Sequence, residues 1–502
     1  MKKSTRLLSA ILAALMLAGS LASCATSDEN TDTQAPDVTQ AAVTEGETVP
    51  RDSIPDDLDF GGDEVTFISR YREGWTSGEI SVPSLKSEPV NDAVYERNKN
   101  VEQRLNVVIN NAEIRTEDYN EVPNKVKLAV QAGTADYDIM AAPCITALPA
   151  TLDGLFVDLR KTAYVDFDKP WWSEGFNQVV EYNDAQYAAT GAIVLSMYRF
   201  AFVTVFNHKL FDDAGQAYLY DYVEDGTWTL DKQASIVPSF HVDNGNGQQD
   251  PDGDIYGLIL GNHISVDPYW SACDVSIVGR DETGTYTLVF DSSKLQDVME
   301  KVLFLYYQTD DSTYVFPAHD ADGDQDDIRN AFAAGRGAMA TLRVMELENG
   351  VMRNMTDKYG VVPMPKFDEQ QASYQTYLHD QYTVLSILTT VKEERQDEIS
   401  ATLEALASES YRLVRPAYYE TTLRTKIAQD PQSSEMMDIV MNNIYIDAGI
   451  IYTLDMGWFY DHPRNVVKEK QNNVISHYKS KVKVAEKYVK QINRKLDKIA
   501  NR

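Results

Sequence analysis

Two acidic loops hold the densest sets of oxygen donors in the chain. Asp243-Asn244-Gly245-Asn246-Gly247 runs on to Asp250, Asp252 and Asp254, and a second cluster comprises Asp320, Asp322, Asp324, Asp326 and Asp327. Alternating oxygen ligands suit Ca²⁺, but an EF-hand loop also needs Gly at its sixth position and an acidic residue at its twelfth. A loop starting at Asp250 places Ile255 and Gly261 there, and one starting at Asp320 places Gln325 and Ala331 there. Both registers fail, so solvated acidic turns without a resident metal are expected. No H-E-x-x-H, G-x-S-x-G or P-loop occurs, and the seven histidines are scattered. Gly335-Arg336-Gly337-Ala338-Met339-Ala340 matches a dinucleotide-binding pattern only loosely and follows a predicted helix instead of a strand. Among 77 carboxylates, chance acidic pairs carry no argument for glycosidase chemistry. Neither a catalytic residue nor a cofactor is expected.

A modification site is better marked. Lys2, Lys3 and Arg6 precede an apolar run from Leu7 to Ala18, which has the charge and length of an export signal and is too short to span a bilayer. Leu21-Ala22-Ser23-Cys24 then resembles a bacterial lipobox. The expectation is a signal peptide over 1–23, acylation (palmitate) of Cys24, and a membrane anchor on the extracytoplasmic face, since acyl chains contribute about 0.8 kcal/mol per buried CH₂. Residues 24–57 are rich in Thr, Asp, Glu, Ala and Pro, and are predicted to form a disordered tether. Cys144 and Cys273 remain, either as buried free thiols or as a bridge.

The elements that must position any site are those of an α/β protein. Asp and Glu exceed Lys and Arg by 77 to 46, a net charge of −31 that disfavours nucleic acid as a partner. Glu64 to Ile68 alternates as a strand, Asn91 is a predicted N-cap, and Leu105 to Ile109 is a second strand. Glu121 to Ala132 is predicted helical with Gly133 as its stop, and Tyr137 to Ala142 is a buried strand. That order implies right-handed crossovers on a parallel sheet. Further strands are predicted over Gln186–Val194, Ala201–Asn207, Gly337–Leu342, Tyr359–Val362 and Gln381–Leu388, with a helix over Ile328–Ala334 and mainly helices after residue 395. From Asn465 onward there are 11 Lys or Arg and three acidic residues. Ile475, Tyr478, Val482, Ala485, Val489, Ile492, Leu496 and Ile499 form one helical stripe there. That basic helix either docks on its own domain or faces anionic lipid.

Several segments together resemble the extracellular solute-binding proteins of ABC importers, the family of maltose-binding protein. They are Glu88 to Tyr95, Ala135 to Ile139, Asn207 to Phe211, Gly226 to Leu230, Phe332 to Met339 and Tyr359 to Pro365. The resemblance spans about residues 60 to 460. It implies a two-lobed α/β fold of the periplasmic-binding-protein type (type II), with a ligand cleft between the lobes. The lobes would be 58–192 plus 383–445 and 193–382 plus 446–502, crossing near Thr190–Met197 and His379–Tyr382. The implied function is a monomeric, lipid-anchored receptor that captures a solute, most simply a sugar or oligosaccharide, for ABC permease subunits. An adhesin or a polysaccharide-processing enzyme is the alternative.

The resemblance also implies site residues. Val266-Asp267-Pro268-Tyr269-Trp270 is similar to the acidic-Pro-aromatic segment that sets two rings against sugar, and Trp458 falls where a late helical region supplies another. Arg343 stands where the family usually has a Trp, and offers a planar donor fork to hydroxyls or a carboxylate. Trp75, Tyr198 and the pair Trp171-Trp172 are further candidates. Because a Pro-led turn suits a surface better than a strand interior, Tyr269 and Trp270 are expected to be exposed to the cleft.

Overall fold

The computed structural model describes residues 50–289, 292–318, 324–420 and 430–500. The signal peptide, Cys24 and most of the tether, together with Asp320 and Asp322 of the second acidic loop, lie outside the described residues. Strand β1 (Asp63–Tyr71) is flanked by parallel β2 (Val107–Arg115) and parallel β3 (Ile139–Pro143). Helices α1 (Pro89–Leu105) and α2 (Glu121–Ala132) make the crossovers. α1 starts earlier than the Asn91 cap expected: Glu88 accepts the Asn91 amide and Pro89 takes the first helical position, where its missing N–H costs nothing. α2 ends at Gly133, whose φ of +68° is the left-handed stop.

A second sheet contains β4 (Phe202–Asn207), β5 (Tyr256–Gly261), β6 (Thr313–Phe316), β7 (Gly337–Arg343) and β8 (Tyr359–Val362), in the order β8-β4-β7-β5-β6. Helix α3 (Gln325–Ala333) leads into β7. The chain then returns to the first sheet as β9 (Thr383–Ile387), antiparallel to β3, giving the order β9-β3-β1-β2. Each sheet is the centre of one lobe, and its inner strands are largely apolar and buried, as expected when helices cover both faces, whereas the edge strand β2 is mostly polar and partly exposed. Gln186–Val194 is not a strand: it makes only isolated bridges, because it is one of the segments that pass between the lobes.

Two of the stretches that join the lobes lie side by side. Ala189 and Leu385 exchange backbone hydrogen bonds, Thr190 Oγ1 donates to the Thr383 carbonyl at 2.8 Å, and His379 N donates to the Phe200 carbonyl at 3.0 Å. Glu79, fully buried, pins them together: it accepts from Ser196 N and, at 2.7 Å, from Thr383 Oγ1. Burial pushes its carboxyl above the usual range against these donors.

Helix α4 (Gln396–Glu409) packs on α1, and its Glu404 accepts both indole N–H groups of Trp171 (3.0 Å) and Trp172 (2.9 Å). The terminal helix α5 (Val474–Ala500) docks on its own domain through Tyr478, Val489, Ile492 and Leu496, and the Asn493 amide pairs with the backbone of Tyr286. Its lysines and arginines face solvent. Cys144 and Cys273 are both free and buried. Among the described residues no helix is long and apolar enough to cross a membrane.

Candidate functional site

The two lobes meet around Trp75. β1 ends at Tyr71, and the chain folds back at once: Trp75 N donates to the Arg72 carbonyl, and Thr76 Oγ1 donates to the Arg70 carbonyl at 2.8 Å. This turn lifts the indole off the carboxyl end of the sheet, the edge at which open α/β sheets bind ligands. From the other lobe, Arg343 closes β7 and lays its guanidinium over the indole, 4.6 Å from the centroid. Arg72 is 3.6 Å from the same ring. Phe200 and His379, both from the joining segments, meet Trp75 edge-on at 5.1 and 5.4 Å. Trp75 is 6% exposed and Arg343 2%, so the seam is shut in this conformation.

Charged groups crowd behind it. Asp267 accepts from Arg464 Nε at 2.8 Å and from Arg464 Nη2, and takes the Tyr377 hydroxyl at 3.3 Å. Asp461 is 3.7 Å from Arg464, and Asp380 is 3.6 Å from His379 Nδ1. Burial pushes the Asp380 carboxyl up to about 7 and raises that of Asp461, against the pull of Arg464. His379 is held well below the usual imidazole range by burial, and then by Arg343, Arg464, Arg72 and His263 facing it. At neutral pH it is therefore an uncharged ring.

The seam abuts an open polar groove of about 800 Å³. Tyr71, Asn111 and Arg115 line it on the first lobe, Glu348 and Arg353 on the second. Arg199, also in its wall, donates to the backbone carbonyls of Trp75 and Ser77 and pairs with Glu348 at 3.4 Å, tying the groove to the turn that carries Trp75. That volume lies within the ordinary range for small-molecule sites.

Of the residues singled out in the sequence, the fold thus brings Trp75 and Arg343 together. The expected exposure of Tyr269 and Trp270 is overturned: both are 0% exposed. Asp267–Ser271 is a short helix with Pro268 in its first turn, where proline is compatible with burial. The Tyr269 hydroxyl pairs with Thr341 Oγ1 at 2.7 Å, and Trp270 packs on Tyr460 with centroids 4.4 Å apart. Tyr198 is half-buried against Tyr418 in a separate hollow of about 200 Å³, shared with Trp171 and Trp172. Trp458 is 44% exposed, on a left-handed turn with φ of +60°. Sequence reasoning missed Arg72, Phe200, Asp380 and Arg464 as neighbours of the seam. His379 fell inside an expected crossing, and its position there was the available signal.

The acidic loops are taken up locally. Asp254 accepts the amides of Asn244 and Asp250 (both 2.9 Å) and the Tyr256 hydroxyl (3.0 Å). Asp324, buried and not a solvated turn residue, accepts His263 N and Ser265 Oγ, each at 3.0 Å.

No protein-family model and no curated protein sequence matches the chain. Solved structures do. An ABC substrate-binding protein of Listeria monocytogenes in complex with cycloalternan superposes with a TM-score of 0.52 at 14% identity, covering 87% of this chain and 99% of that one. Maltose-bound MalE3 of T. maritima gives 0.51 at 15% identity over 87% and 99%. UgpB of Mycobacterium tuberculosis, in complex with glycerophosphocholine, gives 0.52 at 15% identity over 83% and 97%. With two sheets joined by paired crossings and near-complete coverage of each neighbour, this chain has the two-lobed α/β fold of the ABC substrate-binding proteins.

Proposed function

We propose that the protein is a solute receptor that captures a saccharide between its lobes and hands it to an ABC permease, acting by binding and not by catalysis. The observation that carries this reading is Trp75, an aromatic ring at the sheet edge that meets Arg343 of the other lobe and is shut in by Arg343 and Arg72 in this conformation. A pyranose offers a CH face to such a ring and hydroxyls to the polar groups around it. The neighbouring folds bound to cycloalternan and maltose support the carbohydrate class. A ligand touching both lobes favours the closed state through its differential affinity. Titration calorimetry against a panel of mono- to tetrasaccharides tests the proposal. Trp75→Ala should weaken the best binder at least about tenfold, the scale of one lost stacking platform. Unchanged affinity in Trp75→Ala would remove this ring from the site, and no binding across the panel would remove the carbohydrate.

The lobes are proposed to divide near residues 192 and 382, with the helix Pro431–Asn442, which packs on β8 through Ser433, belonging to the second lobe, and the monomer to hang from a lipid on Cys24. Cys24→Ser should release the protein from the membrane fraction and abolish incorporation of labelled fatty acid. Retained label in that variant would exclude Cys24 as the anchor.

A further inference from the structure

The donors and acceptors at the seam do not balance. Arg343 Nη2 donates to Glu346 at 2.7 Å, but its Nε and Nη1 have no acceptor although the side chain is 2% exposed. Leaving charged N–H groups buried and unmatched is costly, and proteins rarely keep such groups without a purpose. Two of the nearby acceptors are already engaged. Glu346 also takes Arg329 Nη1 at 2.7 Å, and Asp267 is occupied by Arg464 and Tyr377. Asp461 is in ion-pair range of Arg464 at 3.7 Å. His379 Nδ1, next to Trp75, has no hydrogen-bond partner either. The basic groups Arg343, Arg464, Arg72 and His263 all face this imidazole.

We propose that Arg343 selects the solute: the seam is reserved for a polyhydroxylated molecule carrying an anionic oxygen group, a carboxylate or a phosphoester, whose oxygens take the open donors of Arg343. This deepens the receptor reading and rests on it. A hydroxyl is both donor and acceptor, whereas an anionic oxygen is acceptor-only and makes the stronger, charge-assisted bond. Guanidinium geometry suits carboxylate and phosphate alike. The net charge of −31 does not prevent entry, because screening confines repulsion from the outer surface to about 8 Å in physiological salt. Within the seam the unmatched groups of Arg343 are donors. Trp75 would hold the sugar ring, with Arg343 swinging off the indole face to meet the anion.

The test is calorimetry with matched sets, using the neutral, uronate and 6-phosphate forms of one hexose and of its di- and trisaccharides. Wild-type protein should bind an acidic form at least about tenfold more tightly than its neutral counterpart, and the uronate and phosphate arms tell which anion is taken. Arg343→Gln should abolish that preference, weakening the acidic forms far more than the neutral ones. The empty Arg343→Gln protein should still unfold cooperatively, since Glu346 keeps its bond to Arg329 and two unmatched donors are removed. Equal affinity for neutral and acidic forms, or a preference that survives Arg343→Gln, would overturn the proposal while sparing the receptor reading. Failure of every form to bind would overturn both.

Discussion

Trp270→Ala should destabilise the folded chain by about 3–5 kcal/mol, the usual cost of removing a fully buried large aromatic. The indole is 0% exposed and packs on Tyr460, while its neighbour Tyr269 packs on Tyr306 at 5.8 Å. Truncation would leave a void between the short helix Asp267–Ser271 and the segment carrying Tyr460, two pieces of chain about 190 residues apart. Trp270→Phe should cost less, because it keeps much of the ring contact and breaks no hydrogen bond: the indole Nε1 has no partner among the described residues. Denaturant unfolding followed by far-UV circular dichroism reads both variants. A midpoint within error of wild type for Trp270→Ala would show that the ring is not core. The outcome expected from sequence alone is the reverse, weakened solute binding at unchanged stability, and the two patterns separate cleanly.

That reversal shows what the sequence carries and where it stops. Helix α2 was legible because its period and its stop, Gly133, are local facts. β1 was legible from its alternation, and β4, β7 and β8 because continuous apolar runs between turn residues leave few other choices. Gln186–Val194 has the same composition, yet the chain there crosses between lobes, and its hydrogen bonds go to Trp171 and Leu385 instead of a sheet ladder. Composition does not encode that. Asp-Pro-Tyr-Trp reads as a surface turn or as the first turn of a buried helix, and only packing against Tyr306 and Tyr460 decides between them. The candidate site divides in the same way. Trp75 and Arg343 could be picked out as types of residue, a ring and a donor fork. Their meeting, 268 positions apart in sequence, depends on two sheet edges facing each other across the crossings, a property of the topology and not of any window of sequence.

Arg464 shows how far such unseen partners matter. Arg464→Met should cost about 3–5 kcal/mol, because it strands Asp267, whose side chain is wholly buried, without its counter-charge. The Tyr377 hydroxyl alone, at 3.3 Å, cannot replace a guanidinium that reaches both carboxylate oxygens. Adding Asp267→Asn to Arg464→Met should recover a large part of the loss, since the stranded charge is then gone, and the non-additivity measures the coupling. If the single variant lost less than about 1 kcal/mol, the pair would be behaving like an exposed one and the buried-pair argument would fail. The pair also ties the helix His462–Glu469 to the segment Asp267–Ser271 beside the seam. Removing Arg464 leaves Asp267, Asp380 and Asp461 facing one another with one cation fewer among them. An anionic solute reaching for Arg343 would then meet uncompensated carboxylates, so its affinity should fall more steeply in Arg464→Met than that of a neutral analogue. In the double variant the two affinities should draw back together, because the carboxylate that repels the anion is the one removed.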